Sequence, residues 1–346
     1  MEKKVLSTLE KCYSIAPLSY KGRQHILVAA EKKDRCIMFD ADGNEEQTVW
    51  EGPGGVMTMV QVPDTDGQFL ATHKFYSPND SKEAKIVLAF PKEDGEFEIR
   101  TLAELPFVHR FDILKTKNEN YLIACTLKSD HEYKDDWRTP GKVYAAKLPE
   151  NLVEFTEDNT LELEVIKEDM LRNHGYCKVV EDGKESSLIC SENGVFRFYP
   201  PQDDSENWII EKLLDEPSSD AVLIDLDGDN EKELVVLSPF HGDQISIYKR
   251  EKGIFEKVYD YFEKTEFLHA IWACSLKGKP TVILGNRKGK RQLMALTWSK
   301  DENQYKFEIL DEDCGPANAF KYDYNSKEMV IATNREINEI AMYIFE

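Results

Sequence analysis

The chain has 346 residues and a formal net charge of −21, from 65 acidic and 44 basic side chains. Such an acidic surface argues against binding to nucleic-acid backbones or anionic membranes, since both require positive charge. No apolar stretch reaches transmembrane length, and the N-terminus carries no apolar signal core, so we expect a cytoplasmic protein. The seven cysteines lie mostly within apolar runs, which favours reduced thiols.

Short apolar runs, each following a polar turn, recur seven times at intervals of about 49 residues. Strand-length runs bounded by turn residues indicate small antiparallel sheets, and a ring of such units is a β-propeller. The sequence therefore predicts an all-β, seven-bladed propeller that occupies residues 1–346 as a single domain. The second strands of the predicted blades cover 26–30, 69–73, 122–126, 188–191, 234–238, 282–285 and 329–333.

The innermost strand of each blade is predicted about 13 residues before the second strand. These first strands cover 13–17, 56–60, 109–113, 174–179, 220–224, 269–273 and 318–322. A third run follows the second strand, and the last such run, 340–345, lies at the end of the sequence. Blade seven therefore lacks an outer strand of its own, and we expect residues 3–9 to supply it and close the ring. The alternative is a frayed N-terminal tail.

Six of the seven histidines occupy two places in the repeat. Three begin predicted first strands: His109, His174 and His269. Three lie in or beside the loops that follow second strands: His73, His131 and His241. Both places open on the same face of a propeller, so we predict that these six side chains surround one mouth of the central channel. His25 is predicted on the opposite side.

Neutral imidazoles on neighbouring strands commonly bind Zn, Mn, Fe or Ni, and three protein ligands leave a position for water or substrate. The predicted ligands of a divalent transition metal are His109, His174, His269 and Asp220. Alanine at any of these three histidines should remove metal and activity, whereas His25→Ala should do neither. The alternative is structural, because histidines at this place in other propellers hydrogen-bond neighbouring strands, although this chain lacks their Trp-Asp partner.

Cationic and aromatic residues follow several second strands and predict a binding cleft for a small sugar that carries a carboxylate or keto oxygen. Arg binds a carboxylate through two hydrogen bonds, and loops on a rigid scaffold often carry such sites. The predicted substrate-binding residues are Arg110, Arg138, Arg287, Lys74 and Asn318. The alternative is a solvated charged rim.

One acidic turn in predicted blade five alternates carboxylates around a glycine, which is the pattern of a loop that binds a hard cation. It carries Asp225, Asp227, Asp229 and Glu233 around Gly228. The segment resembles the FG-GAP and VCBS repeats of integrin-like propellers, and this resemblance implies a structural calcium ion. Asn230 stands where that family prefers Gly. The alternative is an acidic turn held by its own hydrogen bonds.

The whole chain, with histidines at the mouth of a seven-bladed ring, resembles propeller lyases that act on sugars, including oligogalacturonate lyases. The segment 238–242, Ser-Pro-Phe-His-Gly, is similar to the propeller of aldos-2-ulose and anhydrofructose dehydratases. The resemblance implies a metal-dependent carbohydrate lyase or dehydratase that eliminates next to a carbonyl or carboxylate. His241 is the first candidate for the base, with His73 or Tyr176 as substitutes. The alternative function is a non-catalytic propeller that binds a glycan or a protein partner.

Overall fold

The computed structural model describes residues 1–203 and 205–345, and its strands form seven four-stranded antiparallel sheets. The prediction of an all-β, seven-bladed propeller is confirmed. The helical structure in the described part of the chain is a single 3-10 turn at Arg335–Ile337. No helix in that part is long and apolar enough to cross a membrane.

Each sheet is one blade, and its first strand lines the central channel. Blade one contains β2 (Cys12–Tyr20), β3 (Arg23–Ala30), β4 (Cys36–Asp40) and β5 (Glu45–Trp50). Blade two contains β6 (Met59–Gln61), β7 (Phe69–His73), β8 (Lys85–Pro91) and β9 (Phe97–Glu104). Blade three contains β10 (Val108–Lys115), β11 (Asn120–Thr126), β12 (Gly141–Leu148) and β13 (Glu164–Met170).

The other four blades follow in chain order. Blade four contains β14 (Gly175–Glu181), β15 (Lys184–Ser191), β16 (Gly194–Tyr199) and β17 (Ile209–Leu214). Blade five contains β18 (Asp220–Ile224), β19 (Glu233–Ser238), β20 (Gln244–Glu251) and β21 (Ile254–Asp260). Blade six contains β22 (Leu268–Leu276), β23 (Lys279–Asn286), β24 (Leu293–Ser299) and β25 (Gln304–Asp311). Blade seven contains β26 (Asn318–Tyr324), β27 (Lys327–Asn334), β28 (Glu339–Phe345) and β1 (Glu2–Thr8).

The core lies between the blades. Second strands read as continuous apolar runs because both of their faces pack on neighbouring sheets, as in β19, where Leu234, Val235 and Val236 are all fully buried. The buried apolar side chains form seven clusters, and each cluster joins two adjacent blades. This arrangement fixes the first strands, and the side chains at their ends, around the channel.

The N-terminal strand closes the ring. β1 pairs antiparallel with β28, with Lys3 opposite Tyr343 and Thr8 opposite Glu339. Leu9 follows β1 and is buried in the cluster between blades seven and one. The predicted closure is confirmed, and the frayed tail is wrong, because pairing removes the exposed edge of β28.

The first strand of blade two is shorter than predicted. The sequence predicts a strand over 56–60, but β6 begins at Met59. The amide of Val56 instead donates to the carbonyl of Ala30 in blade one. Gly55 has a φ of +78°, and a Cβ there would lie 2.3 Å from the backbone nitrogen of Phe75. This close approach requires glycine at position 55. Residues 56–58, which lead into β6, consequently lie outside the sheet of blade two.

Candidate functional site

Side chains at the starts of first strands link five of the blades to the blade that follows. The Nδ1 atoms of three histidines lie within hydrogen-bond distance of a main-chain carbonyl in the following blade: His109 of His174 O (3.3 Å), His174 of Ser219 O (3.3 Å) and His269 of Ala317 O (2.6 Å). Two other blades use different donors in the same way: Thr58 to His109 O (3.1 Å) and Asn318 to Tyr13 O (2.8 Å). The predicted structural role of these histidines is therefore present in the fold.

These contacts also determine the tautomer of each ring. A carbonyl only accepts hydrogen bonds, so Nδ1 carries the proton and Nε2 keeps a lone pair. Burial lowers the pKa of His109, His174 and His269 well below the usual value, and it lowers the pKa of His241 to about 3. All four rings are consequently neutral near pH 7, which is the form that binds metals.

Three of these rings form a compact group, which we call the histidine centre: His174, His241 and His269. Each offers a nitrogen, and the three nitrogens lie within 4.8 Å of one another. His241 Nε2 is 3.3 Å from His174 Nε2, and the Tyr13 hydroxyl is 3.1 Å from His269 Nε2. The Tyr13 hydroxyl therefore donates to a lone pair that a metal would otherwise use.

The histidine centre fits a tetrahedral metal with modest adjustment. Zinc–nitrogen bonds of about 2.0–2.1 Å place two ligand nitrogens roughly 3.3 Å apart, which is the separation of the His174 and His241 Nε2 atoms. The proton of His241 must move to Nδ1, because its Nε2 now faces another lone pair and carries the hydrogen. The carbonyl partners of His174 and His269 already supply the outer contacts that orient metal-bound imidazoles.

Two of the four predicted metal ligands, His109 and Asp220, lie outside the histidine centre, and one of its members was not a predicted ligand. The His109 ring packs against the His174 ring at 4.6 Å, but its nitrogens are not in the three-nitrogen group. Asp220 is likewise outside that group and lines the central channel. His241, predicted as the base, is inside it.

Aromatic rings and cations surround the His241 side chain. Its ring is stacked between Phe240 (3.9 Å) and Phe267 (4.3 Å). The guanidinium of Arg172 lies over Phe240 at 5.6 Å, and that of Arg287 lies over Phe267 at 4.7 Å. Both are also paired with glutamates across 2.8 to 2.9 Å, so they are held in place.

The predicted substrate-binding residues separate into three locations. Arg287 lies beside the histidine centre, and Arg110 and Asn318 line the central channel. Arg138 instead binds Asp136 and Glu132 within the blade-three insertion. Lys74 pairs with Glu83 and lines an outer pocket in blade two.

The remaining candidate bases lie outside the histidine centre. His73 is buried, packs on the Trp50 ring at 4.9 Å and lines the outer pocket of blade two. The Tyr176 ring lines the channel, and its hydroxyl is buried with no hydrogen-bond partner among the described residues. Burial raises the pKa of Tyr176 well above the usual value. His131 contacts Phe107. The histidine centre therefore contains His241 and two of the first-strand histidines. The six histidines that were predicted around one mouth of the channel do not all meet there.

On the opposite side of the repeat, His25 lies near the start of β3 and contacts Glu46 Oε2 at 3.0 Å. It is buried and takes no part in the histidine centre. This residue is a suitable control for substitutions at the other face.

The acidic turn of blade five already contains a cation of its own. The Lys249 ammonium contacts Asp227, Asp229 (2.8 Å) and Glu233 (3.6 Å). Asp225 accepts the amides of Gly228 and Asn230, which completes the turn. The predicted turn with its own hydrogen bonds is therefore present, and a calcium ion would have to displace Lys249.

Sequence reasoning missed two residues that contact the site. Tyr13 lies in a predicted first strand with no further role, and no sequence-based prediction concerns Arg172. Only the position of Tyr13 in the repeat could have indicated its role. The first residue of the predicted first strand is histidine in blades three, four and six and asparagine in blade seven. Nothing near Arg172 in the sequence indicates that its side chain lies over Phe240.

Neither a protein family nor a curated protein matches this chain. Among solved structures, the chain is similar to the beta-propeller domain of Myceliophteria thermophila Cps50 (Swd1), with a TM-score of 0.63 and 9% identity over 100% of both chains. At this identity the likeness shows the shared fold alone. The propeller fold is thus established, and the resemblances to FG-GAP repeats and to sugar lyases stay predictions.

Proposed function

We propose that this protein is a ligand-binding propeller whose binding centre is a divalent transition metal held by His174, His241 and His269. The observation that carries the proposal is the convergence of three neutral imidazole nitrogens within 4.8 Å. Carbonyl partners fix the Nδ1 atoms of His174 and His269. Their Nε2 lone pairs become available to a metal once the His241 proton moves to Nδ1 and the Tyr13 hydroxyl turns away. Zinc is the metal that three imidazoles and one open position suit best, with Mn, Fe and Ni as alternatives.

The surroundings favour an oxygen-rich, anionic ligand on the open position. Arg172, Arg287 and Lys288 all lie close enough to lower the pKa of His241 further. The His241 ring and the Arg172 and Arg287 guanidinium groups already cover the faces of Phe240 and Phe267, so recognition of the ligand rests on the metal and on these cations. We therefore expect the partner to be a small acidic or keto sugar, or such a group on a glycan.

The test of the metal is elemental analysis of the purified protein, with about one transition metal per chain expected. His174→Ala and His269→Ala should each lose the metal, and His25→Ala should retain it. Metal-free protein that takes up no zinc on addition would contradict the proposal. Far-UV circular dichroism of each variant separates loss of ligand from loss of fold.

A second candidate function is the metal-dependent carbohydrate lyase. It is favoured by His241, which is the one member of the histidine centre that is only partly buried and is therefore accessible to solvent. A metal bound there would polarise a carbonyl or carboxylate of the sugar. His241 would take the α-proton, and the C–O bond at the next carbon would break. The leaving oxygen would take up that proton and depart as water or, from a glycosidic bond, as the hydroxyl of a saccharide.

One substitution separates the two functions, because His241 cannot be a metal ligand and a free base at once. In the binding protein, His241→Ala removes the metal. In the lyase with His241 as base, the variant keeps the metal and eliminates about 10²-fold or more slowly, measured as the ultraviolet absorbance of the unsaturated product formed from galacturonate oligomers.

A further inference from the structure

The central channel contains a cavity that His241 does not line. Its volume is about 550 Å³ and it is lined by residues from all seven first strands or the segments that lead into them. That volume lies within the range of sites for small organic molecules. Of the three residues of the histidine centre, only His269 lines this cavity.

The cations of this cavity differ in their partners. Lys178 pairs with Asp112 at 3.1 Å, and Lys232 pairs with Glu181 at 2.9 Å. Arg110, by contrast, forms no ion pair with any carboxylate in the described residues. Its guanidinium donates to the carbonyl of Met57 (2.8 Å) and to Asn318 Oδ1 (3.4 Å), both neutral acceptors.

An unpaired guanidinium inside a low-dielectric channel favours an anion. Arg has five N–H donors in a planar fork, and two neutral acceptors leave donors for a carboxylate. The nearest acidic lining residue without an ion pair, Asp220, is kept largely neutral below pH 7, because burial raises its pKa to about 7. It therefore opposes an anion only weakly there.

The rest of the wall is apolar and partly aromatic. Trp272 is 38% exposed although it lies on an innermost strand, and its ring meets Phe320 edge-on at 5.1 Å. Met57 and Ile271 line the same cavity. A large apolar side chain exposed inside a cavity is typical of a surface that a ligand covers.

We propose that the channel binds a small carboxylic acid with an aromatic body, whose carboxylate pairs with Arg110 and whose ring packs on Trp272 and Phe320. The site does not rest on the proposed metal function, because the carboxylate partner is a side chain of the channel. The two sites meet at His269, so a ligand in the channel lies beside the metal site without requiring it.

The probe is 3-phenylpropionate, titrated into the full-length protein in EDTA at pH 6.5 by calorimetry. EDTA excludes a carboxylate–metal contact, so binding here is independent of the histidine centre. Two further probes are 3-phenylpropanamide, which keeps the shape without the charge, and propionate, which lacks the ring. We expect both to bind at least tenfold more weakly than 3-phenylpropionate.

Variants assign the contacts. Arg110→Gln and Trp272→Leu should each weaken 3-phenylpropionate at least tenfold, whereas Lys232→Gln, a lining cation already paired, should change it less than twofold. Absence of 3-phenylpropionate binding up to about 10 mM, or equal binding of the amide, would overturn the proposal. The comparison of acid and amide on the unmodified protein decides the question even where Arg110→Gln does not fold.

Discussion

The histidines at the starts of first strands use their two nitrogens for different purposes. Nδ1 of His174 and His269 hydrogen-bonds the next blade, so part of their role is to hold the ring together. Nε2 of the same residues faces the histidine centre. The structural and the metal-binding interpretations therefore do not compete, because each concerns a different nitrogen of one ring.

Asp220 gives a prediction about pH at the residue scale. Its carboxyl is buried, and burial raises its pKa from 3.8 to about 7. Below pH 4 both folded and unfolded forms are protonated, so Asp220 has no net effect there. Between pH 4 and 7 the unfolded form ionises first, so stability falls as pH rises, by up to about 4 kcal/mol. Asp220→Asn should therefore raise the free energy of unfolding at pH 8 and leave it unchanged at pH 4, measured by urea denaturation.

Asp136 is a control for which the expected change of the unfolding free energy with pH has the opposite sign. Its hydrogen bonds with Arg138 hold the pKa of Asp136 well below its usual range. Asp136→Asn should therefore destabilise the protein at pH 8, and the difference should shrink as pH falls below the usual pKa of an aspartate. Equal loss of stability in the Asp220 variant at pH 8 would contradict the account of Asp220.

At the scale of the element, the turn between β18 and β19 has a cation-binding sequence whose carboxylates are paired with a lysine of the same blade. Four carboxylates in a short turn require positive charge. Lys249 on β20, the strand hydrogen-bonded to β19, supplies it. The sequence motif alone contains no sign of this, because Lys249 follows Glu233 by a whole strand and loop.

We predict that calcium leaves the thermal midpoint of the unmodified protein unchanged, since Lys249 occupies the turn. Lys249→Met should lower the free energy of unfolding by about 1–3 kcal/mol, because three carboxylates lose their common partner. Millimolar calcium should restore that loss, measured by thermal unfolding with calcium or EDTA.

Lys257→Met is the matched control for this turn. Lys257 lies on β21 of the same blade and contacts Glu216 and Asp260 outside the turn, so its variant should not respond to calcium. Stabilisation of the unmodified protein by calcium would instead favour the calcium loop that the FG-GAP resemblance implies.

At the scale of the whole molecule, the fold depends on one strand from the other end of the chain. β1 completes blade seven, and Leu6 and Leu9 pack in the cluster between blades seven and one. Without β1, the edge of β28 would expose its unpaired backbone groups to solvent. Stability is otherwise spread over seven similar blade interfaces, so a substitution at one site should leave the ring intact.

Deletion of residues 1–8 should therefore lower the free energy of unfolding by about 2–5 kcal/mol, as for a large-to-small core substitution. It should also cause concentration-dependent association through β28, measured by sedimentation. Removal of residues 1–2 alone keeps the pairs from Lys3 to Thr8 and should have little effect. A monomeric deletion variant of unchanged stability would show that closure contributes little.

The sequence by itself determined the architecture, because a period of about 49 residues and paired apolar runs leave a propeller as the structure that buries every sheet. It also predicted the closing strand, since the last run lacked a partner. The places of His174 and His269 at one mouth followed from their register in that repeat, which local patterning fixes.

Only the tertiary structure decided which side chains meet. His241 joins the centre and His109 does not, although His109 shares its register with His174 and His269 and makes the same kind of contact with the next blade. Arg138 lies apart from the centre, and Arg172 and Lys249 have contacts that no sequence pattern predicts. Long side chains select partners across loops and strands, and sequence spacing does not encode those partners. Register along a strand is a local property, whereas the meeting of side chains across a channel depends on the closed ring.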